Sequence, residues 1–225
     1  MTNLSARNNI LAKLKRQVAG TDYNNLPKES GFDYPKLSHQ QQLEQFVAHL
    51  QNNHAQVIKT SRAQIAEVVG RELKSLNIDK LLYGKNSQYS EEIEALPTAD
   101  MKCRVILQPF DFVVEGEAKQ NLFDNTPAAI TGSHSAIAAT GTIVLWPTVD
   151  EPRTLSLVPP VHFVIVDANQ LYADFTTLIN EQQWHNKMPT NILLISGPSK
   201  TADIQQTLAY GAHGPKKLVV LLLDC

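Results

Sequence analysis

Residues 161–223 hold three apolar runs that decide the architecture: VHFVIV at 161–166, ILLI at 192–195 and LVVLLL at 218–223. None of them alternates steadily between apolar and polar residues. A strand that reads as a near-continuous apolar run is buried on both faces, as in a parallel sheet flanked by helices. Between the runs lie residues 171–180 and 201–210, both compatible with helix. Alternating strands and helices predict an α/β fold with a mostly parallel sheet.

Working upstream, the same alternation continues. Ser38-His39-Gln40-Gln41 matches a capping box, and Leu43, Phe46, Val47 and Leu50 follow at helical spacing. Residues 55–59 are β-leaning. Ser61-Arg62-Ala63-Gln64 matches a second capping box, followed by the stripe Ile65, Val68, Val69, Leu73 and Leu76. Residues 80–83 and 104–107 read as short strands, with a weak helix at 91–96 between them. At the start, Ile10, Leu11, Leu14 and Val18 predict a helix over 3–18. The stretch 19–38, with Gly20, Pro27, Gly31 and Pro35, lacks periodicity and reads as a linker. We therefore expect an N-terminal helical arm at 1–38 and an α/β domain at 39–225. The arm's apolar stripe covers either the chain's own core or a partner subunit.

Composition excludes several functional classes. The 225 residues carry 20 Lys+Arg and 22 Asp+Glu, a formal net charge of −2. Such a balance lacks the basic footprint of a nucleic-acid binder and the charge excess of a disordered chain. Cys103 and Cys225 are the only two cysteines. An iron–sulfur cluster takes about four thiolates, so this chain alone cannot hold one. The low cysteine content suggests a reducing compartment. The opening Met1-Thr2-Asn3-Leu4-Ser5 lacks the pattern of a secretory signal, and no apolar run approaches the ~20 residues of a membrane span. A cytoplasmic location is the expectation.

Chemistry has several candidate positions. From 125 to 149 there is no Asp, Glu, Lys or Arg, and Ala, Thr, Gly and Ser abound. This composition suits close backbone approach. Within it, Thr140-Gly141-Thr142 either presents hydroxyls and amides to a ligand or pins a turn. Ser196-Gly197-Pro198-Ser199-Lys200-Thr201 follows an apolar run and precedes the predicted helix at 201–210. Read as an anion pocket, it offers free N–H groups at a helix start, with Ser196, Ser199, Lys200 and Thr201 adding donors. Read otherwise, Ser199 caps that helix and Asp203 satisfies its dipole. Arg153 is the one Lys or Arg between Lys119 and Lys187. It either clamps a carboxylate or pairs with Asp150 or Glu151. His162 sits in an apolar run and reads as a core or lining histidine. His213, in Gly211-Ala212-His213-Gly214-Pro215, is either a ligand contact or a turn donor. Histidine spacing suggests no metal site, and neither a GxSxG elbow nor a local Cys–His signature is found.

Taken together, these segments resemble the LUD domain of the lactate-utilisation protein C (LutC/YkgG) family. The resemblance rests on Thr131-Gly132, Ala136-Ile137-Ala138-Ala139-Thr140-Gly141-Thr142, Arg153 and Pro159-Pro160-Val161-His162. It continues through residues 191–203 (NILLISGPSKTAD) and Gly211-Ala212-His213-Gly214-Pro215-Lys216. It implies a fold of the NagB/RpiA/CoA-transferase type. It also implies a part in oxidising L-lactate to pyruvate beside iron–sulfur partner proteins, with no cofactor in this chain. Two departures stand out: the family's usual Glu is Ala139 here, and Ser133-His134-Ser135 lacks the carboxylate that often precedes the Ala-Ile run. The leading expectation is a non-redox subunit that binds a small anion or docks partners. Its pocket would be lined by Thr140, Gly141, Thr142, Arg153, Ser196, Gly197, Ser199, Lys200, Thr201 and His213. Two rivals remain open: an isomerase- or CoA-transferase-like enzyme, using Glu115, Glu117 or Asp124 near Gly141, and an interaction module that works through the arm.

Overall fold

The computed structural model describes residues 3–20, 35–96, 105–110, 124–202, 208–210 and 214–224. The chain divides into two compact units, Met1–Pro35 and Lys36–Cys225. The first contains helix α1 (Asn3–Gln17), which has Lys15 and Arg16 in its last turn, where cations offset the helix dipole. Ile10, Leu11, Leu14 and Val18 are exposed.

In the second unit the strands, in chain order, are β1 (Gln56–Thr60), β2 (Lys80–Tyr83), β3 (Ile106–Pro109), β4 (Ala128–Gly132), β5 (Ser135–Ile137) and β6 (Thr142–Leu145). They continue as β7 (Val161–Asp167), β8 (Leu171–Tyr172), β9 (Leu193–Ile195), β10 (Lys200–Ala202), β11 (Leu208–Tyr210) and β12 (Lys217–Leu223). The helices are α2 (His39–Asn52), α3 (Ile65–Ser75), α4 (Ser90–Glu94), α5 (Arg153–Leu157), α6 (Phe175–Glu181) and α7 (Trp184–Lys187). Among the described residues, the main sheet has the order β1-β12-β7-β4-β2-β3 and every pairing in it is parallel. A second sheet, β8-β5-β6-β9, is mixed. The fold is α/β with a mostly parallel sheet, as the apolar runs predict.

The centre of the sheet explains those runs. β7 and β12 pair with Phe163 opposite Val219 and Ile165 opposite Leu221. These four residues face a cluster with Ile65, Val69 and Leu73 of α3 and Ile93 of α4. The alternate residues Val164, Val166, Val220 and Leu222 face Leu43, Phe46 and Leu50 of α2, and Ile143 of the second sheet. Both faces are dry, so neither strand has a polar side to display. Each fully buried aliphatic side chain contributes roughly 1.5–3 kcal/mol.

Local signals agree in part. Ser38 closes a full capping box with Gln41. At Ser61 no side-chain cap forms: its hydroxyl bonds Gln64 Oε1 instead, and a 3₁₀ turn at Arg62–Gln64 precedes α3. The ILLI run is not a strand buried on both faces. It forms β9, which pairs with β6 at the edge of the second sheet, and Leu194 is 51% exposed. The expected helix over 201–210 is also overturned. Lys200–Ala202 and Leu208–Tyr210 pair antiparallel, and residues 203–207 lie outside the described set. The stretch 200–202 is already extended, so no helix begins there.

His162 is fully buried on β7, and its Nε2 lies 2.9 Å from Thr131 Oγ1 on the neighbouring strand. Its Nδ1 has no partner among the described residues. Burial pushes its pKa down to about 3, below the ~6.5 of an unfolded histidine. The stabilisation linked to the neutral ring is therefore complete above about pH 6.5 and is lost as pH falls toward 3. Stability should decline through this window with a slope of up to about 1.4 kcal/mol per pH unit from this group. Urea unfolding between pH 4 and 7.5 should show a shallower acid limb for His162→Gln than for the native chain. Equal limbs would refute the assignment.

Candidate functional site

Two glycine turns meet beside the second sheet. The β5–β6 turn contains Gly141, and β9 ends in Ser196-Gly197; antiparallel pairing places Ile143 opposite Ile195 and so brings the turns together. Their hydroxyls form a row. Thr140 and Thr142 share a hydrogen bond of 2.7 Å, and Thr142 and Ser196 share one of 2.8 Å. Both turns rest on the C-terminal end of α2. Gly141 has φ +58°, and a Cβ there would overlap His49 Cβ. A Cβ on Gly197 would lie 2.8 Å from the Asn53 carbonyl oxygen. Asn53, Ser196, Gly197 and Pro198 line an open hollow of about 280 Å³. The nearby helix end is a carbonyl end, which disfavours anions. Any anion here would depend on hydroxyl donors.

Of the other expected residues, Ser199 and Arg153 do not line this hollow. Ser199 donates its amide to the Pro215 carbonyl at 2.8 Å, beside Gly214. Lys200 and Thr201 begin β10. His213, Glu115 and Glu117 lie outside the described residues. Arg153 opens α5, is exposed, and forms no ion pair among the described residues. It borders a small cleft with Thr131, Gly132, Trp146, Glu151 and Ser156. Of the two readings left open for Arg153, pairing with Asp150 or Glu151 is not observed among the described residues.

A different cavity occupies the place where open α/β sheets usually bind ligands. From β2 the chain turns outward to β3, whereas β4 is followed on its other side by β7. The carboxyl ends of β2 and β4 therefore flank a topological switch point. A cavity of about 350 Å³ lies there, lined from three segments: Asn86–Gln88 after β2, Gly132–His134 after β4, and Trp146 to Glu151 after β6. The Gly132 amide donates to both Glu151 carboxylate oxygens, at 3.0 and 3.2 Å. Asn86 Nδ2 donates to Asp150 Oδ1 at 3.0 Å. His134 stacks on Trp146 with ring centroids 4.3 Å apart and planes 30° apart. Trp184 packs edge-on behind Trp146 at 5.6 Å.

Burial raises the Glu151 pKa above the usual carboxylate value, and the charge of Asp150 adds to this. The Gly132 amide opposes the shift. Ser87 lies close enough to favour the charge without a hydrogen bond of ordinary geometry. Burial also lowers the His134 pKa, so its ring is neutral near pH 7. The cavity thus combines a partly desolvated carboxyl group, a second carboxylate and a flat aromatic wall. Sequence reasoning passed over this place. Glu151 appeared there only as a surface partner for Arg153, and His134 only as a departure from a family pattern. The missed signal was the end of β4, where Gly132-Ser133-His134 closes an apolar strand. Among the described residues, no group of three or more His, Cys, Asp or Glu side chains is placed to hold a metal ion.

Comparison with known proteins adds a lineage to this geometry. The LUD domain family model matches residues 43–223. An uncharacterized protein from Neisseria meningitidis serogroup B is 37% identical over 230 residues, covering 98% of this chain and 94% of that protein. Lactate utilization protein C from Bacillus subtilis is 26% identical, covering 76% of this chain and 73% of its own. A crystal structure of a DUF162 family protein from Deinococcus radiodurans superposes with TM-score 0.61 at 21% identity. It covers 84% of this chain and 100% of that one.

Two outcomes check the geometry. Gly141→Ala should lower stability by about 2–4 kcal/mol, because a left-handed backbone and a clash with His49 act together; thermal melts with an unchanged midpoint would contradict the contact with α2. A raised carboxyl pKa means that Glu151 lowers folded-state stability once it ionises, above its unfolded pKa of ~4.3. Glu151→Gln should therefore stabilise the chain more at pH 8 than at pH 4. The reverse order in thermal melts would show that the carboxylate is held ionised.

Proposed function

The chain belongs to the LUD domain family, and on that basis we propose that it serves lactate utilisation as a non-redox subunit beside iron–sulfur proteins. The names of its relatives support the process. The sequence supports the division of labour, because two cysteines cannot ligate a cluster that needs about four. Electrons would travel in the partners. This chain would dock them and hold a small anion, such as a 2-hydroxy or 2-oxo acid.

The observation behind the anion part is the hydroxyl row Thr140–Thr142–Ser196, whose last member, Ser196, lines the hollow beside Gly197. Neutral hydroxyl donors facing a helix carbonyl end give weak, shallow binding, so millimolar affinity is expected. No helix among the described residues is long and apolar enough to cross a membrane. The enzyme alternative gains one observation: a partly buried carboxyl group, Glu151, at the switch-point cavity. Its nominated carboxylates do not supply that group. Asp124 is exposed, and Glu115 and Glu117 are not described.

Two measurements address this reading. Cells lacking the chain should lose growth on L-lactate and regain it with the native gene; unchanged growth would remove the lactate role. Thermal-shift titration with lactate and pyruvate should give a millimolar midpoint, weakened about fivefold by Ser196→Ala through loss of roughly one hydrogen bond. No shift from the native chain at 20 mM, a concentration on the order of the expected weak Kd, would remove the anion site while leaving the docking role to stand.

A further inference from the structure

The switch-point cavity has a chemistry unlike the hydroxyl row. Its volume of about 350 Å³ falls in the range of small-molecule sites. Among the described residues, its two charged lining residues, Asp150 and Glu151, are both acidic and neither is in an ion pair. Asp150 has one oxygen occupied by Asn86. Glu151 is held by the single Gly132 amide. One wall is aromatic, formed by Trp146 with His134 stacked against it. Trp184 behind Trp146 is buried and fixes that wall in place.

These features select a ligand. A carboxylate removed from water needs a compensating positive charge. An aromatic face attracts the same charge through its quadrupole. A flat cation satisfies both at once: its edge donates to the carboxylates while its face lies on the ring. An anion such as lactate would meet two like charges. We propose that this cavity binds a planar cation of the guanidinium type, with Glu151 and Asp150 as its counter-ions and the stacked His134–Trp146 pair as its aromatic wall. The inference does not depend on the lactate reading, because it concerns another cavity and the opposite charge. The same group can arrive as a free small molecule or as an arginine side chain of a protein partner.

The test uses the full chain and three probes: agmatine, a capped Gly-Arg-Gly peptide, and N-carbamoylputrescine, in which an uncharged ureido group replaces the guanidinium of agmatine. Binding is followed by calorimetry and by tryptophan fluorescence, since both tryptophans lie in or behind the wall. Agmatine should bind and change the fluorescence, and N-carbamoylputrescine should not bind. Glu151→Gln and Asp150→Asn should each weaken agmatine by about tenfold or more, equivalent to about 1.4 kcal/mol. Each variant is checked first by its thermal midpoint, and the Gln side chain can still accept from the Gly132 amide. Peptide binding without agmatine binding would assign the cavity to a partner's arginine; agmatine binding without peptide binding would assign it to a free ligand. Equal binding of N-carbamoylputrescine and agmatine would overturn the proposal. So would unchanged affinity in both folded variants, or no binding of either cation.

Discussion

The parallel pairing of β7 with β12 is the constraint on which the second unit depends. Both strands are apolar at nearly every position, and both faces must be shielded from water. One face is covered by α3 and α4, the other by α2 and the second sheet. Once these layers are set, the ends of the sheet are the places left for polar chemistry. The second sheet enters the chain directly after β4, through Gly132, Ser133 and His134. That insertion covers one face and also carries Trp146, Asp150 and Glu151 back to the carboxyl end of β4. Core formation and cavity formation are consequences of one chain path.

How much of this was legible depends on the physical origin of each signal. VHFVIV and LVVLLL were read correctly because burial on two faces leaves a near-continuous run of β-branched and aliphatic residues about as long as a strand. ILLI has the same composition and a different outcome. Four residues cannot distinguish a central strand from an edge strand, and the partner of β9 is set by the distant β6. The stretch 201–210 failed for a related reason. Its helix-compatible residues are overridden by the pairing of Lys200–Ala202 with Leu208–Tyr210, a tertiary choice that local propensity does not contain. The Ser61 motif shows that a cap needs geometry as well as residue types: a 3₁₀ turn intervenes, and the hydroxyl bonds a side chain instead.

The candidate site divides in the same way. The meeting of the Gly141 and Gly197 turns was readable, because small residues and hydroxyls clustered on two segments with no charges near Gly141. The identity of what stands behind them was not. That the C-terminal end of α2 closes on both glycines follows from packing between segments about ninety to one hundred and fifty residues apart. It reverses the electrostatic argument, since a carbonyl end replaces the expected helix start. The cavity between β2 and β4 was not readable from any one motif. Its lining comes from three segments, each of which looks like an ordinary turn.

The family resemblance gives a carboxylate before the Ala-Ile run and a Glu at position 139, where this chain has Ser133-His134-Ser135 and Ala139. The structure separates these two departures. Ala139 lies on the β5–β6 turn, with its amide bonded to the Ala173 carbonyl, so its loss of charge affects the hydroxyl-lined side. His134 lines the switch-point cavity, beside Asp150 and Glu151. His134 is an imidazole that burial keeps neutral, so the segment after β4 adds no negative charge to the space shared by Asp150 and Glu151. It also adds a flat ring stacked on Trp146. The cavity therefore keeps carboxylates on the segment after β6 while gaining aromatic surface after β4. A site built this way pairs two carboxylates with a flat aromatic wall, which favours a flat cation over a spherical one.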